Sequence, residues 1–169
     1  MLDPELLALA ERLQGLCLGR GLTIGLSESC TGGMVAATIT SVAGSSGYFR
    51  GSIVAYADTA KIQVLGVPSD TLAAHGAVSA QTARAMAVGA RERLGVDLAA
   101  SVTGISGPAG GSDDKPVGLT YLGLADAGST DVRRQQWTGD RDTNRRESAR
   151  AVLRWLIEHA ETMTVEQHG

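Results

Sequence analysis

The stretch Leu22-Thr23-Ile24-Gly25-Leu26-Ser27-Glu28-Ser29-Cys30-Thr31-Gly32-Gly33-Met34-Val35-Ala36-Ala37-Thr38-Ile39 decides the fold class of this chain. Leu22 to Ser27 is a short apolar run with the pattern of a strand, and a helix is expected from Thr31 or Gly32 to Ser41. Between them Glu28 to Gly33 forms a strand-to-helix turn rich in small residues. A serine so placed exposes its hydroxyl, and the N–H groups of a helix start can hold a phosphate or a developing oxyanion. The spacing is not that of a Walker-type phosphate loop, and no lysine follows the glycines.

Outward from this turn the chain alternates helices and strands. Asp3 caps a helix that accepts Pro4 in its first turn and ends at Gly19 and Gly21, with Leu2, Leu6, Leu9, Leu13 and Leu16 recurring at helical spacing. Ala43 to Gly47 is turn-rich, Phe49 to Ala57 reads as a strand, and a short helix through Lys61 to Leu65 breaks at Gly66-Val67-Pro68. Ser79 caps a long helix closed by Gly95, and strand-like Leu98 to Thr103 runs into the glycine-dense loop Gly104 to Gly111. Val117 to Ala125 and Val132 to Thr138 read as an antiparallel pair, and Arg141 to Thr162 as the last helix. Residues 164–169 read as a disordered tail after one domain spanning 1–163. The pattern predicts an α/β fold, a three-layer α/β/α sandwich with a mixed, mainly parallel sheet. Ligands in such folds bind beyond the carboxyl ends of the strands, so the loops after Leu26, Ala57 and Thr103 are expected to share a pocket.

At 169 residues the chain can bury a self-sufficient core, built mainly from Ala, Val, Leu and Ile because only 4% of residues are aromatic. The net charge of -3 argues against a protein that covers nucleic-acid phosphates. Cys17 and Cys30 show no disulfide or zinc spacing, and His75, His159 and His168 have no partner at metal-ligand spacing, so neither a metal nor another cofactor is expected. The N-terminal residues lack the pattern of a secretory signal, and no apolar run suits a membrane span, giving the expectation of a cytoplasmic protein without membrane partners. Plentiful apolar helix faces are compatible with a homo-oligomer.

Ser29 is a candidate nucleophile, which needs a base, and Tyr56 and Lys61 follow the next strand. A lysine in a semi-buried pocket can lose its proton near neutral pH, and serine with lysine is a variant of the triad arrangement. In isolation, capping is the ordinary role of a serine at a helix start, and Lys61 reads as a solvated helix residue. Cys30 competes with Ser29, since a thiol at a helix N-terminus can be activated, or it is a buried apolar residue. The loop from Gly104 to Gly111 allows close backbone approach to a ligand, with Thr103, Ser106 and Ser112 adding hydroxyls, or it is a flexible connection. Arg141 and Arg145 share a helix face and could clamp a phosphate or carboxylate, or be solvated.

Taken in order, Glu28-Ser29-Cys30-Thr31-Gly32-Gly33, Ala43 to Phe49, Val54-Ala55-Tyr56 with Ala60-Lys61, His75 to Ser79, Val102 to Ile105, Lys115-Pro116-Val117-Gly118 and Gly139-Asp140-Arg141 with Arg145 resemble the CinA C-terminal domain family over nearly the whole chain. The resemblance implies an α/β/α amidohydrolase that converts nicotinamide mononucleotide to nicotinate mononucleotide and ammonia. Ser29 would be the nucleophile, Tyr56 and Lys61 would handle its proton, and Arg145 would complete the active site. Substrate contacts are implied for Thr31, Gly32, Gly33, Ser46, Thr103, Gly104, Gly107 and Arg141, with backbone N–H groups from Thr31 to Gly33, together with Thr103, holding the oxyanion. The alternative expectation is a nucleotide-binding or partner-interaction module without catalysis. Two departures stand out: Ala57-Asp58 where the family commonly has Ser-Asn, and Asn144 at a position usually apolar. The family's longer members carry a further N-terminal domain, so a stand-alone deamidase-type domain is expected here.

Overall fold

The computed structural model describes residues 3–163; Met1, Leu2 and the tail 164–169 lie outside the described residues. Its elements run α1 (Pro4–Arg20), β1 (Ile24–Glu28), α2 (Met34–Thr40), a 3-10 turn (Ser45–Gly47), β2 (Phe49–Val54), α3 (Asp58–Leu65), α4 (Ser69–His75), α5 (Ala80–Leu94), β3 (Leu98–Gly104), β4 (Leu119–Ala125), β5 (Thr130–Gln136) and α6 (Arg141–Thr162). The five strands form one mixed sheet in the order β2-β1-β3-β4-β5. β1 pairs in parallel with both β2 and β3, while β4 pairs antiparallel with β3 and β5, so β4 alone runs against the others.

Helices cover both faces, as the α/β/α expectation requires. Helices α1, α2 and α6 share one core with the sheet, containing Leu13, Ile24, Leu26, Val35, Leu98, Leu122, Leu153 and Leu156. The opposite face holds α5, with α3 and α4 against it, in a second core around Leu65, Val67, Met86, Ala90 and Ala99. The interior strands β1 and β3 read as near-continuous buried runs because both of their faces are covered. Asp3 caps α1 through a 2.9 Å bond from the Glu5 N–H, and its other carboxylate oxygen lies 3.0 Å from Arg150 of α6, so one side chain starts the first helix and ties it to the last.

Two boundaries next to the loops of the site differ from the sequence reading, and one helix is additional to it. β2 ends at Val54 rather than Ala57, because Ala55 is the last residue held to β1, through its N–H on the Glu28 carbonyl. α2 begins at Met34, after Gly32 and Gly33 adopt left-handed conformations that a helix cannot include. The seven-residue α4 was not foreseen: it buries only Leu72, too little apolar periodicity to show in the sequence, although Pro68 and Gly76 bracket it.

Leu153 is fully buried where α6 meets the sheet and α1. Leu153→Ala is expected to lower unfolding free energy by about 3 kcal/mol in urea denaturation, through lost burial plus the cavity left behind.

Candidate functional site

Because β1, β2 and β3 are parallel, their carboxyl ends fall on one side of the sheet, and the loops that leave them converge. There a cavity of about 210 Å³ is lined by Ser29 and Cys30 after β1, Tyr56 and Lys61 after β2, Thr103, Gly104 and Ser106 at the end of β3, Ala77 and Val78 before α5, and Arg141 from α6. A larger cleft of about 540 Å³ lies elsewhere, between α3, α4 and α5, but its walls hold none of these groups. We place the chemistry in the smaller cavity, since it gathers a hydroxyl, an amine and a guanidinium.

Glu28, the last residue of β1, shapes the turn below this cavity. Its side chain is fully buried and accepts hydrogen bonds from the Thr31 hydroxyl (2.7 Å), from the N–H groups of Gly33 (3.0 Å), Val35 (3.2 Å) and Ala36 (2.9 Å), and from the Ser52 hydroxyl (3.2 Å). One carboxylate thus satisfies the free N–H groups at the start of α2 and anchors that start to β2. Two expectations change in consequence. Ser29 is not the cap of α2, which leaves its hydroxyl free; and the Gly33 N–H is spent on Glu28 rather than open to an anion. Thr31 is fully buried and turned toward Glu28, and the Gly32 N–H donates to the Ser29 carbonyl, so neither side of this pair lines the cavity.

The Ser29 hydroxyl lies 3.1 Å from Lys61 Nζ. The lysine is only 1% exposed, and its ammonium position is fixed further by a 2.9 Å bond to the Tyr56 carbonyl. Burial pulls the Lys61 pKa below the ordinary value of 10.5, because the charged form loses its hydration; the Asp58 carboxylate opposes this and raises it. Asp58 itself is exposed at the first residue of α3 and does not line the cavity. It acts on the site through its field, not through contact.

Cys30 lines the same cavity, but burial pushes its thiol up to about 11, opposite to the activation that a helix start could have given. The Tyr56 side chain is 63% exposed at the cavity mouth, with its hydroxyl 3.4 Å from Arg141 Nη2. Its backbone, rather than its hydroxyl, is what touches Lys61. The Arg141 guanidinium also donates to the Gly107 carbonyl at 2.8 Å. Gly107 has a φ of 85°, and a Cβ there would meet Val117 at 2.5 Å, so glycine is required for the carbonyl to face Arg141.

Arg145, one turn further along α6, points elsewhere. Its Nε donates to the Cys30 carbonyl at 3.1 Å and its Nη2 to the Thr31 carbonyl at 3.0 Å, so it braces the turn that carries Ser29 from behind, without lining the cavity. The two arginines therefore form no joint clamp. Thr103 lines the cavity with its hydroxyl committed to the Ala77 carbonyl at 2.8 Å. Ser46 lies apart from the rest, exposed before β2 at the amino end of the sheet and away from the cavity at its carboxyl end. Ala77 and Val78 fall within one of the blocks that resemble the family but were not named as site residues; small apolar residues in a loop carry no chemical signal of their own, and Ala77 is tied to the wall by the Thr103 bond.

Comparison with known proteins bears on the family and the fold. The model of the CinA C-terminal domain matches residues 6–160. The chain belongs to the CinA C-terminal domain family. A CinA-like protein of Citrifermentans bemidjiense is 56% identical over 86% of this chain and 35% of its own length, so the chain spans about a third of that relative. The nicotinamide-nucleotide amidohydrolase PncC of Escherichia coli is 45% identical over 92% of this chain and 95% of its own. Among solved structures, the competence/damage inducible protein CihA of Agrobacterium tumefaciens superposes with a TM-score of 0.91 at 38% identity, covering 94% of this chain and 97% of that one. Among the described residues of this CinA-family chain, no helix is long and apolar enough to cross a membrane, and no cluster of His, Cys, Asp and Glu could hold a metal ion.

Replacing Glu28 tests the role given to its carboxylate. Glu28→Ala leaves three backbone N–H groups without their acceptor and is expected to cost about 3 kcal/mol or more in a urea titration; a loss below about 1 kcal/mol would show that the turn does not depend on it.

Proposed function

We propose that this chain hydrolyses the carboxamide of nicotinamide mononucleotide, releasing nicotinate mononucleotide and ammonia, with Ser29 as nucleophile and Lys61 as its base. The observation that carries the reading is the 3.1 Å approach of a buried lysine amine to a serine hydroxyl that no cap or other side chain has claimed. The Escherichia coli relative named as a nicotinamide-nucleotide amidohydrolase supports the choice of substrate. In this mechanism neutral Lys61 takes the Ser29 proton as Oγ bonds to the amide carbon, and returns it to the departing nitrogen as the C–N bond breaks. Water then cleaves the resulting ester: its oxygen passes to the carboxylate product, one of its protons restores the Ser29 hydroxyl, and the other is released.

The remaining groups fit the rest of the nucleotide. Arg141 at the mouth offers a guanidinium to the phosphate, in the planar geometry suited to it. The exposed ring of Tyr56 can lie against the cationic pyridinium. Arg145 acts through the turn backbone that it braces and is a positioning residue. The reaction belongs to the recycling of pyridine nucleotides, with no metal or cofactor taking part.

The test is ammonia release from the purified protein with nicotinamide, its riboside, its mononucleotide and the dinucleotide. Release is expected to be fastest with the mononucleotide; binding of the mononucleotide without release would replace the enzyme by a nucleotide-binding module. The pH profile checks the role of Lys61. Its amine must be neutral to accept a proton, so kcat/KM rises with pH through a pKa that burial has lowered from 10.5. Since the Asp58 carboxylate holds that pKa up, Asp58→Asn is expected to move the rising limb to lower pH; a limb that stays in place or moves upward would remove Lys61 as the base.

A further inference from the structure

We infer that Asn144 is a positioning residue for the phosphate-binding arginine, acting through the loop that follows β3; this rests on the reading of the site as one for a mononucleotide. Asn144 stands where the sequence resemblance leads one to expect an apolar side chain, and it is only 1% exposed. Such burial is costly for an amide unless both its donor and its acceptor are satisfied. Here both are: Nδ2 donates to the Ser106 carbonyl at 3.0 Å, and Oδ1 accepts from the Gly139 N–H at 3.0 Å. Two loops distant in sequence are thereby fastened to the first turn of α6.

The consequence for the site follows from the next residue. Ser106 precedes Gly107, whose carbonyl receives Arg141 Nη1 at 2.8 Å, and Arg141 lies three residues before Asn144 on the same side of α6. The links close a ring: from α6 through the Asn144 amide to Ser106, along the backbone to Gly107, and back to α6 through Arg141. Within that ring the guanidinium has one carbonyl to rest on and its other arm free toward Tyr56 and the cavity. Ser106 is 8% exposed and lines the same cavity, so Asn144 holds the backbone of a residue in the wall that a ligand meets. Ser29, in the turn after β1, and Lys61, on α3, lie outside the ring. Loss of the Asn144 donor should therefore weaken the grip on the phosphate more than the grip on the pyridine end.

Asn144→Asp tests this with little change of shape, since it keeps an acceptor for Gly139 and removes the donor to Ser106. Calorimetry in a Ser29→Ala background, where nothing turns over, compares the binding of nicotinamide mononucleotide with that of nicotinamide riboside. Asn144→Asp is expected to weaken the mononucleotide about tenfold more than the riboside, the scale of one charge-assisted hydrogen bond. In an Arg141→Ala background that extra loss is expected to vanish, because the two residues act in series. Thermal melting of each variant confirms that the folded protein is being compared, and Asn144→Ser serves in place of Asn144→Asp if the latter does not fold. Equal losses for both ligands, or a loss that adds to that of Arg141→Ala, would overturn the inference alone. Failure of the Ser29→Ala protein to bind either ligand would overturn the mononucleotide reading and this inference together.

Discussion

A single buried carboxylate at the end of β1 determines how the site is built. Glu28 takes the N–H groups of the first turn of α2 and the hydroxyls of Thr31 and Ser52, so strand β1, strand β2 and helix α2 meet on one side chain. A helix start ordinarily uses the nearest serine or threonine for this purpose. Here the task falls to the residue before Ser29, and the serine hydroxyl is left to face the cavity. The anion that the helix dipole favours is supplied by the protein itself.

The other half of the pair depends on burial. Lys61 sits on a short helix whose opposite side is open to solvent, yet its amine is enclosed between the Ser29 hydroxyl and the Tyr56 carbonyl. Both partners can accept a hydrogen bond, and neither carries a full charge, so nothing in contact repays the lost hydration of an ammonium. The Asp58 field, from the exposed end of the same helix, opposes the resulting shift, with a smaller opposing contribution from Cys30. The family departure at Asp58 thus bears on when the lysine is neutral, while the cavity wall itself is unaffected.

How legible the molecule was in its sequence varies with the kind of signal. The order of strands and helices, and the meeting of three loops at the carboxyl ends of β1, β2 and β3, followed from periodicity and from the geometry of parallel strands. Ser29 and Lys61, 32 residues apart, could be named as candidates by residue type, but their 3.1 Å approach is a product of the β1–β2 pairing and could not be read from spacing. Arg141 and Arg145 show the opposite case: helical spacing placed them on one face, yet one lines the cavity and the other grips the turn behind it. The role of Glu28 was hidden because its five donors are spread over β2, the turn and α2. Ser46 fell on the wrong end of the sheet, since a loop entering a parallel strand cannot join the loops that leave it.

In the proposed reaction the hydroxyl beside Lys61, and not the neighbouring thiol, attacks the carboxamide. The most direct measurement of this is ammonia release from nicotinamide mononucleotide by Ser29→Ala and Cys30→Ala proteins compared with the unaltered chain. Turnover is expected to be retained by Cys30→Ala and to fall by at least about a thousandfold in Ser29→Ala; turnover that survives in Ser29→Ala and disappears in Cys30→Ala would make the thiol the nucleophile instead.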